Sequence, residues 1–161
     1  MAKYVLNNSE ENFNFLLFGI ISEENQYSIV SKINRTLVID LALSDNISYN
    51  LKPGNVFSFS LFKYFDEELG LEINLIANVS NLETQKSQEG KADDLFSGTA
   101  VEESAKLIKE LPKINYFILI KGEDLHLYKF KIADKLKSIK EILQIQHIEP
   151  QQLSSRSNLV F

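Results

Sequence analysis

Apolar and polar positions alternate most regularly between Leu71 and Val79. There Leu71, Ile73, Leu75, Ala77 and Val79 are separated by Glu72, Asn74, Ile76 and Asn78. A repeat of two places each set on one side of a strand. Just upstream, VFSFSLFKYF from Val56 to Phe65 puts Phe57, Phe59, Leu61 and Phe65 on one face with the stem of Lys63. Between the two runs lie Asp66, Glu67, Glu68, Leu69 and Gly70, which is turn chemistry. The pattern predicts a β-hairpin over Val56 to Val79 with one face buried.

The rest of the chain is read outward from that hairpin. Asn14 to Ile21 (NFLLFGII) is apolar on both sides, as in a strand inside a sheet, and Gly19 marks a bulge or a close approach. Ser22 is a suitable N-cap, with Glu23 and Glu24 at the positive end of a helix dipole; Tyr27, Val30, Ile33 and Leu37 then form one stripe. A helix to about Asn34, a short strand over Thr36 to Leu43 and a loop over Ser44 to Gly54 follow. Thr99 with Glu102 makes a capping box, predicting a helix from Ala100 to about Glu110 that turns Val101, Ala105, Ile108 and Leu111 inward. Ile114 to Ile120 is a second two-sided apolar run. Gly122-Glu123-Asp124 then turns into Leu125 to Phe130, read as the other arm of a second hairpin. Ile132, Leu136, Ile139 and Leu143 recur at helical spacing, and Gln144 to Glu149 reads as a last strand.

This order predicts an α+β fold: a two-layer, mainly antiparallel sheet of two hairpins plus flanking strands, with two or three helices on one face. The 161 residues form one domain, 1–161, with a mobile loop over 81–98 and a C-terminal tail over 150–161 that ends Leu159-Val160-Phe161.

Composition narrows the class. The chain is 44% hydrophobic and 24% charged, within the range of soluble globular proteins. It has no cysteine, so disulfides, thiolate metal sites and cysteine nucleophiles are excluded. No long apolar run opens it, as expected without a signal peptide, and no membrane partner is expected, which makes the cytoplasm the default location. The net charge of −5 is uneven: −9 over residues 1–105, +5 over residues 106–140 and −1 over the rest. The basic share comes from lysines, among them Lys129, Lys131, Lys135, Lys137 and Lys140 beside Tyr128 and Phe130. Charge mixed with stacking surface suits a nucleic acid. The acidic total and the scarcity of arginine there favour an ordinary solvated helix face instead.

Catalytic signatures are missing: no GxSxG, GxGxxG, P-loop or HExxH spacing occurs. His126 and His147 would need a partner in space to bind metal or move protons, so half-buried strand positions are the simpler reading. The acidic pairs sit in turns or at helix starts, where solvation and the dipole explain them. Asp93-Asp94, before the apolar pair Leu95-Phe96, is the one most suited to an enzyme or small-ligand site. No catalytic, cofactor or metal residue is assigned, and no cofactor is expected.

Three segments, FSFSLFKYFDEE from Phe57 to Glu68, Ile114-Asn115-Tyr116-Phe117 and Ser157-Asn158-Leu159-Val160-Phe161, together resemble the IPExxVDY family, small bacterial proteins named for that motif. Ile114 and Tyr116 take the places of the family's Val and Tyr, and Asn115 stands where it has Asp. Ile108-Lys109-Glu110 supplies an Ile and a Glu without the Pro, one residue farther off. The resemblance implies no activity. An amide in place of a carboxylate cannot act as a base, so Asn115 is expected to hydrogen-bond backbone.

The expectation is a non-catalytic domain that binds another protein or itself through a sheet edge or the loop over 81–98. Lys129, Lys131, Lys135, Lys137, Lys140, Leu95, Phe96 and Phe161 are its candidate partner-binding residues. Nucleic-acid binding through Lys129–Lys140 is the alternative.

Overall fold

Both faces of the central sheet are covered. The computed structural model describes residues 13–52, 54–81 and 104–161. In chain order these form β1 (Leu16–Ser22), α1 (Gln26–Leu37), β2 (Ala42–Leu43), β3 (Ile47–Lys52), β4 (Asn55–Phe59), β5 (Leu61–Asp66) and β6 (Leu71–Ala77). After the gap come β7 (Tyr116–Lys121), α2 (Lys129–Lys137) and β8 (Ile142–Ile148), with short 3-10 turns at Leu125–Leu127, Pro150–Gln152 and Arg156–Leu159. Six strands make one sheet in the order β2-β5-β6-β7-β1-β8, and β3 and β4 make a separate ribbon. Every pairing is antiparallel. The fold is α+β and mainly antiparallel, as the pattern predicts.

Period-two alternation divides the core. Phe18, Ile20, Ile73, Leu75, Ile118 and Ile120 point to one face, under Ile29, Val30 and Ile33 of α1 and Ile132 and Leu136 of α2. Leu17, Leu61, Ile76, Phe117 and Leu119 point to the other, which no α-helix covers among the described residues. There Phe57 and Phe59 of β4, Leu107 and Ile108, and Leu153 and Leu159 of the C-terminal turns close the core. The apolar end of the chain therefore packs onto a sheet face of its own domain. The two-sided runs in β1 and β7 are the sequence signature of this double burial.

Several elements differ from the sequence reading. The long arm over Val56 to Phe65 is two strands, broken at Ser60: Asn55–Phe59 pairs with β3, and Leu61–Asp66 with β6. Phe59 thus lies in the small ribbon, outside the main sheet. The partner of β4, Ile47–Lys52, replaces the predicted loop, and its alternation Ile47, Tyr49 carried that signal. Asn25, not Ser22, caps α1, its Oδ1 accepting from Ser28 N at 2.9 Å. Ser22 instead ends β1, its hydroxyl donating to Glu141 O at 2.7 Å.

Leu125 to Phe130, read as a strand, is helical. Its inward residues are Leu125, Tyr128 and Ile132, spaced three and four apart. The apparent alternation came from Leu127, two residues after Leu125, and Phe130, two after Tyr128, which are 65% and 75% exposed. The helix α2 stops at Lys137, so Leu143 is not an inward helical residue; it lies in β8 and is exposed. The predicted helix over Ala100 to Glu110 lies partly outside the described residues, and residues 104–110 form no helix. Lys106 bridges to Val79 instead, with Ala105 and Ile108 buried as the pattern required.

Asn78 holds that irregular stretch in place. Its Oδ1 accepts from Ile108 N at 2.8 Å, and its Nδ2 donates to Ile114 O at 2.8 Å and Leu111 O at 3.1 Å. Its main chain binds Asn115 O and Leu107 N, both at 2.9 Å. One buried side chain thus supplies the partners that a regular element would have given. Gly19 answers a packing need: a Cβ there would lie 2.8 Å from Ile114 Cδ1 and 3.0 Å from Ile148 Cδ1.

Candidate functional site

The feature that stands apart is the outer edge of the sheet. β8 reads Ile142-Leu143-Gln144-Ile145-Gln146-His147-Ile148, seven residues without lysine, proline or a carboxylate. Among the described residues its only strand neighbour is β1. The opposite edge, β2, is only two residues long. Edge strands are usually shortened, charged or covered, because their free N–H and C=O groups invite another strand.

Hydrogen bonding on the far side of β1 shows which groups are free. Ile20 O accepts from Asn115 N at 2.8 Å, and Ser22 N donates to Asn115 Oδ1 at 2.9 Å. The main-chain groups of Ile20 and Ser22 therefore aim at the β7 side, and those of Gly19 and Ile21 aim at β8. Gly19 pairs with Gln146, Ile21 with Gln144, and Ile20 with Ile145. By the alternation of antiparallel ladders, Gln144 and Gln146 turn their main chain inward, and Ile145 and His147 turn theirs to the free edge. The register shift between Ile21 and Ser22 leaves Leu143 without a partner in β1, and its side chain is 64% exposed.

His147 stands on the helix face of this strand, edge-on to Phe18 with ring centroids 5.7 Å apart. Its Nδ1 is 3.7 Å from Glu149 Oε1. Burial, then the Lys129 ammonium, hold its pKa below the usual imidazole value, and Glu149 opposes them. His126 is exposed. Among the described residues no group of three His, Cys, Asp or Glu side chains could hold a metal.

An open depression of about 650 Å³ lies where β1, β6 and β7 meet the start of α1. Polar groups in its wall serve the fold. The Tyr116 hydroxyl donates to Glu24 O at 2.6 Å, and burial, then the Glu24 charge, raise its pKa. Asn115 binds the main chain of Ser22, as its amide nature predicted. Three acidic side chains elsewhere on the surface are similarly engaged: Glu72 with Asn74 and Lys121, Glu110 with Ser155, Glu141 with Lys32.

The candidate lysines do not share one surface. Lys129 and Lys135 are half-buried, whereas Lys131, Lys137 and Lys140 are exposed, with Asp134 among them. Lys129 Nζ lies 5.8 Å from the centroid of the exposed Phe130 ring. Phe161 is half-buried on the second sheet face, with Lys121 Nζ 5.2 Å from its centroid. Asp93, Asp94, Leu95 and Phe96, and the loop over 82–98, lie outside the described residues. The outward edge of β8 was missed as a site, because sequence alone does not say which strand ends a sheet.

Comparison with models of known families, with curated proteins and with solved structures gave no match. No helix among the described residues is long and apolar enough to cross a membrane.

Proposed function

We propose that this is a non-catalytic cytoplasmic domain that binds protein by strand addition at β8. The observation that carries the reading is the uncharged seven-residue edge, with Ile145 and His147 turning their hydrogen-bonding groups outward. An added strand would take main-chain bonds from those positions, and Leu143 and Ile145 would give it apolar side-chain contacts. The likeness to the IPExxVDY family belongs to this proposal and names no competing activity.

The test is an NMR titration of the labelled full chain with an extended peptide alternating isoleucine and glutamine. Amides of Ile145 and His147 are expected to exchange freely in dilute, monomeric protein without peptide and to become protected on binding. Binding that leaves those two amides unprotected would refute the site.

The exposed Phe130 ring beside Lys129 and Lys131 favours a second reading, single-stranded nucleic acid held by stacking and charge. Lys131→Glu with Lys137→Glu should then abolish binding at low salt. An unshifted oligonucleotide with the unaltered chain ends that reading.

A further inference from the structure

The sequence of β8 is nearly a palindrome. About Ile145, Gln144 mirrors Gln146 and Ile142 mirrors Ile148, and only Leu143 and His147 break the match. A twofold axis through an antiparallel strand pair sets each residue opposite its mirror position. We infer that the strand added at β8 is the β8 of a second copy, antiparallel and centred on Ile145. This rests on the strand-addition reading above and names its partner.

Three features support that occupant. Directly paired residues share a sheet face, and a twofold through a residue whose main chain turns outward makes the central pair a hydrogen-bonded one. Ile145 is such a residue, and centring there uses the whole strand. The mirror then pairs Gln144 with Gln146 of the other copy, and each primary amide can both donate and accept. No like charges meet along the seven residues; just past their ends Glu149 falls opposite Glu141 of the other copy, whose carboxylate Lys32 of its own chain holds at 3.4 Å. The exposed Leu143 lies across from His147 of the other copy, whose imidazole Phe18 meets edge-on. About four to six main-chain hydrogen bonds would join the copies, extending two sheets into one.

Because the chain has no cysteine, the register can be read by cross-linking. In a pair centred on Ile145, the two Ile145 Cα atoms lie about 5.5 Å apart, within disulfide range. Ile145→Cys is expected to give a disulfide dimer on mild oxidation, whereas Leu143→Cys, displaced from the axis, gives little. Sedimentation of the unaltered chain should show dimer formation with rising concentration, and Leu143→Lys should shift it at least tenfold toward monomer. A strict monomer up to about 100 μM, above the affinity range of standard interfaces, would overturn the inference. So would a dimer that cross-links equally at positions 143 and 145. If the chain stays monomeric but the alternating peptide still protects Ile145 and His147, self-pairing fails and strand addition stands. If the peptide protects neither amide and Ile145→Cys does not cross-link, both fail.

Discussion

Replacing Asn78 tests whether one side chain organises the 107–114 stretch. Asn78 is 0% exposed, and three of its hydrogen bonds reach main-chain groups of that stretch. In Asn78→Ala, Leu111 O keeps its bond from Ile114 N at 3.2 Å, so the loss falls on Ile108 N–H and Ile114 O. Two orphaned buried groups at about 1–3 kcal/mol each put the cost at about 2–6 kcal/mol, centred near 4. For a domain of this size, that lowers the melting temperature by roughly 10 °C or more.

Asn78→Asp keeps the shape and the acceptor for Ile108 N–H, but sets an oxygen against two carbonyls where an NH₂ stood. An ionised carboxyl there is buried and opposed, so its pKa must rise well above the usual carboxylate value. The folded state then binds the proton that the unfolded chain has already released. Stability of this variant should therefore rise as pH falls from neutral to about 4, while the alanine variant follows the unaltered protein. Urea denaturation followed by circular dichroism across that range reads both effects. An alanine cost under about 1 kcal/mol, typical of a surface change, would refute the role assigned to Asn78.

Other substitutions probe separate features. Gly19→Ala forces a Cβ against Ile114 Cδ1 and should cost about 1–3 kcal/mol; Ile114→Val, which removes that methyl, should recover part of the loss in a double-mutant cycle. His147 is held below the ordinary imidazole pKa, so the unfolded chain binds more protons just below about pH 6.5. Stability should thus decline with falling pH through that window, and His147→Gln should flatten the slope measured by urea titration. Asn74 is fully buried and its Oδ1 has no hydrogen-bond partner, so Asn74→Val in central strand β6 should stabilise by about 1 kcal/mol; a loss on thermal melting would contradict that.

Legibility followed the length of the periodic signal. Leu71 to Ala77 was readable as a strand because each inward position is apolar, and β1 and β7 because both of their faces are. Leu125 to Phe130 misled because the exposed Leu127 follows Leu125, and the exposed Phe130 follows Tyr128, at a spacing of two; only the continuation to Ile132 and Leu136 reveals the helical spacing. Ser60 looked like any serine in a strand. Its break follows from partners that sequence does not name, since Ala77 N donates to its carbonyl at 3.1 Å while Ser58 O takes Asn81 N at 2.7 Å. The same limit hid the site. The residues of β8 were assigned to helix and strand nearly in place, but its position at the edge is a property of six strands together.

Double burial is also what narrows the function. With both sheet faces filled, a partner can meet only the edges, the outer sides of the helices or the rims of the loops. Of the main sheet's two edges, one offers the two residues of β2 and the last three of β5, which end in Asp66, and the other the seven uncharged residues of β8. The basic helix offers an exposed Phe130, but its lysines diverge and Asp134 interrupts them. Salt separates these surfaces. A phosphate backbone held by three or four lysines loses affinity steeply, by roughly tenfold or more between 50 and 200 mM salt. Pairing along β8 involves main-chain groups, amides and aliphatic side chains, with only the flanking Glu141 and Glu149 carrying charge, so its affinity should shift less than about threefold over the same range. A self-association constant that collapses with salt would move the interface off β8 and onto the lysines.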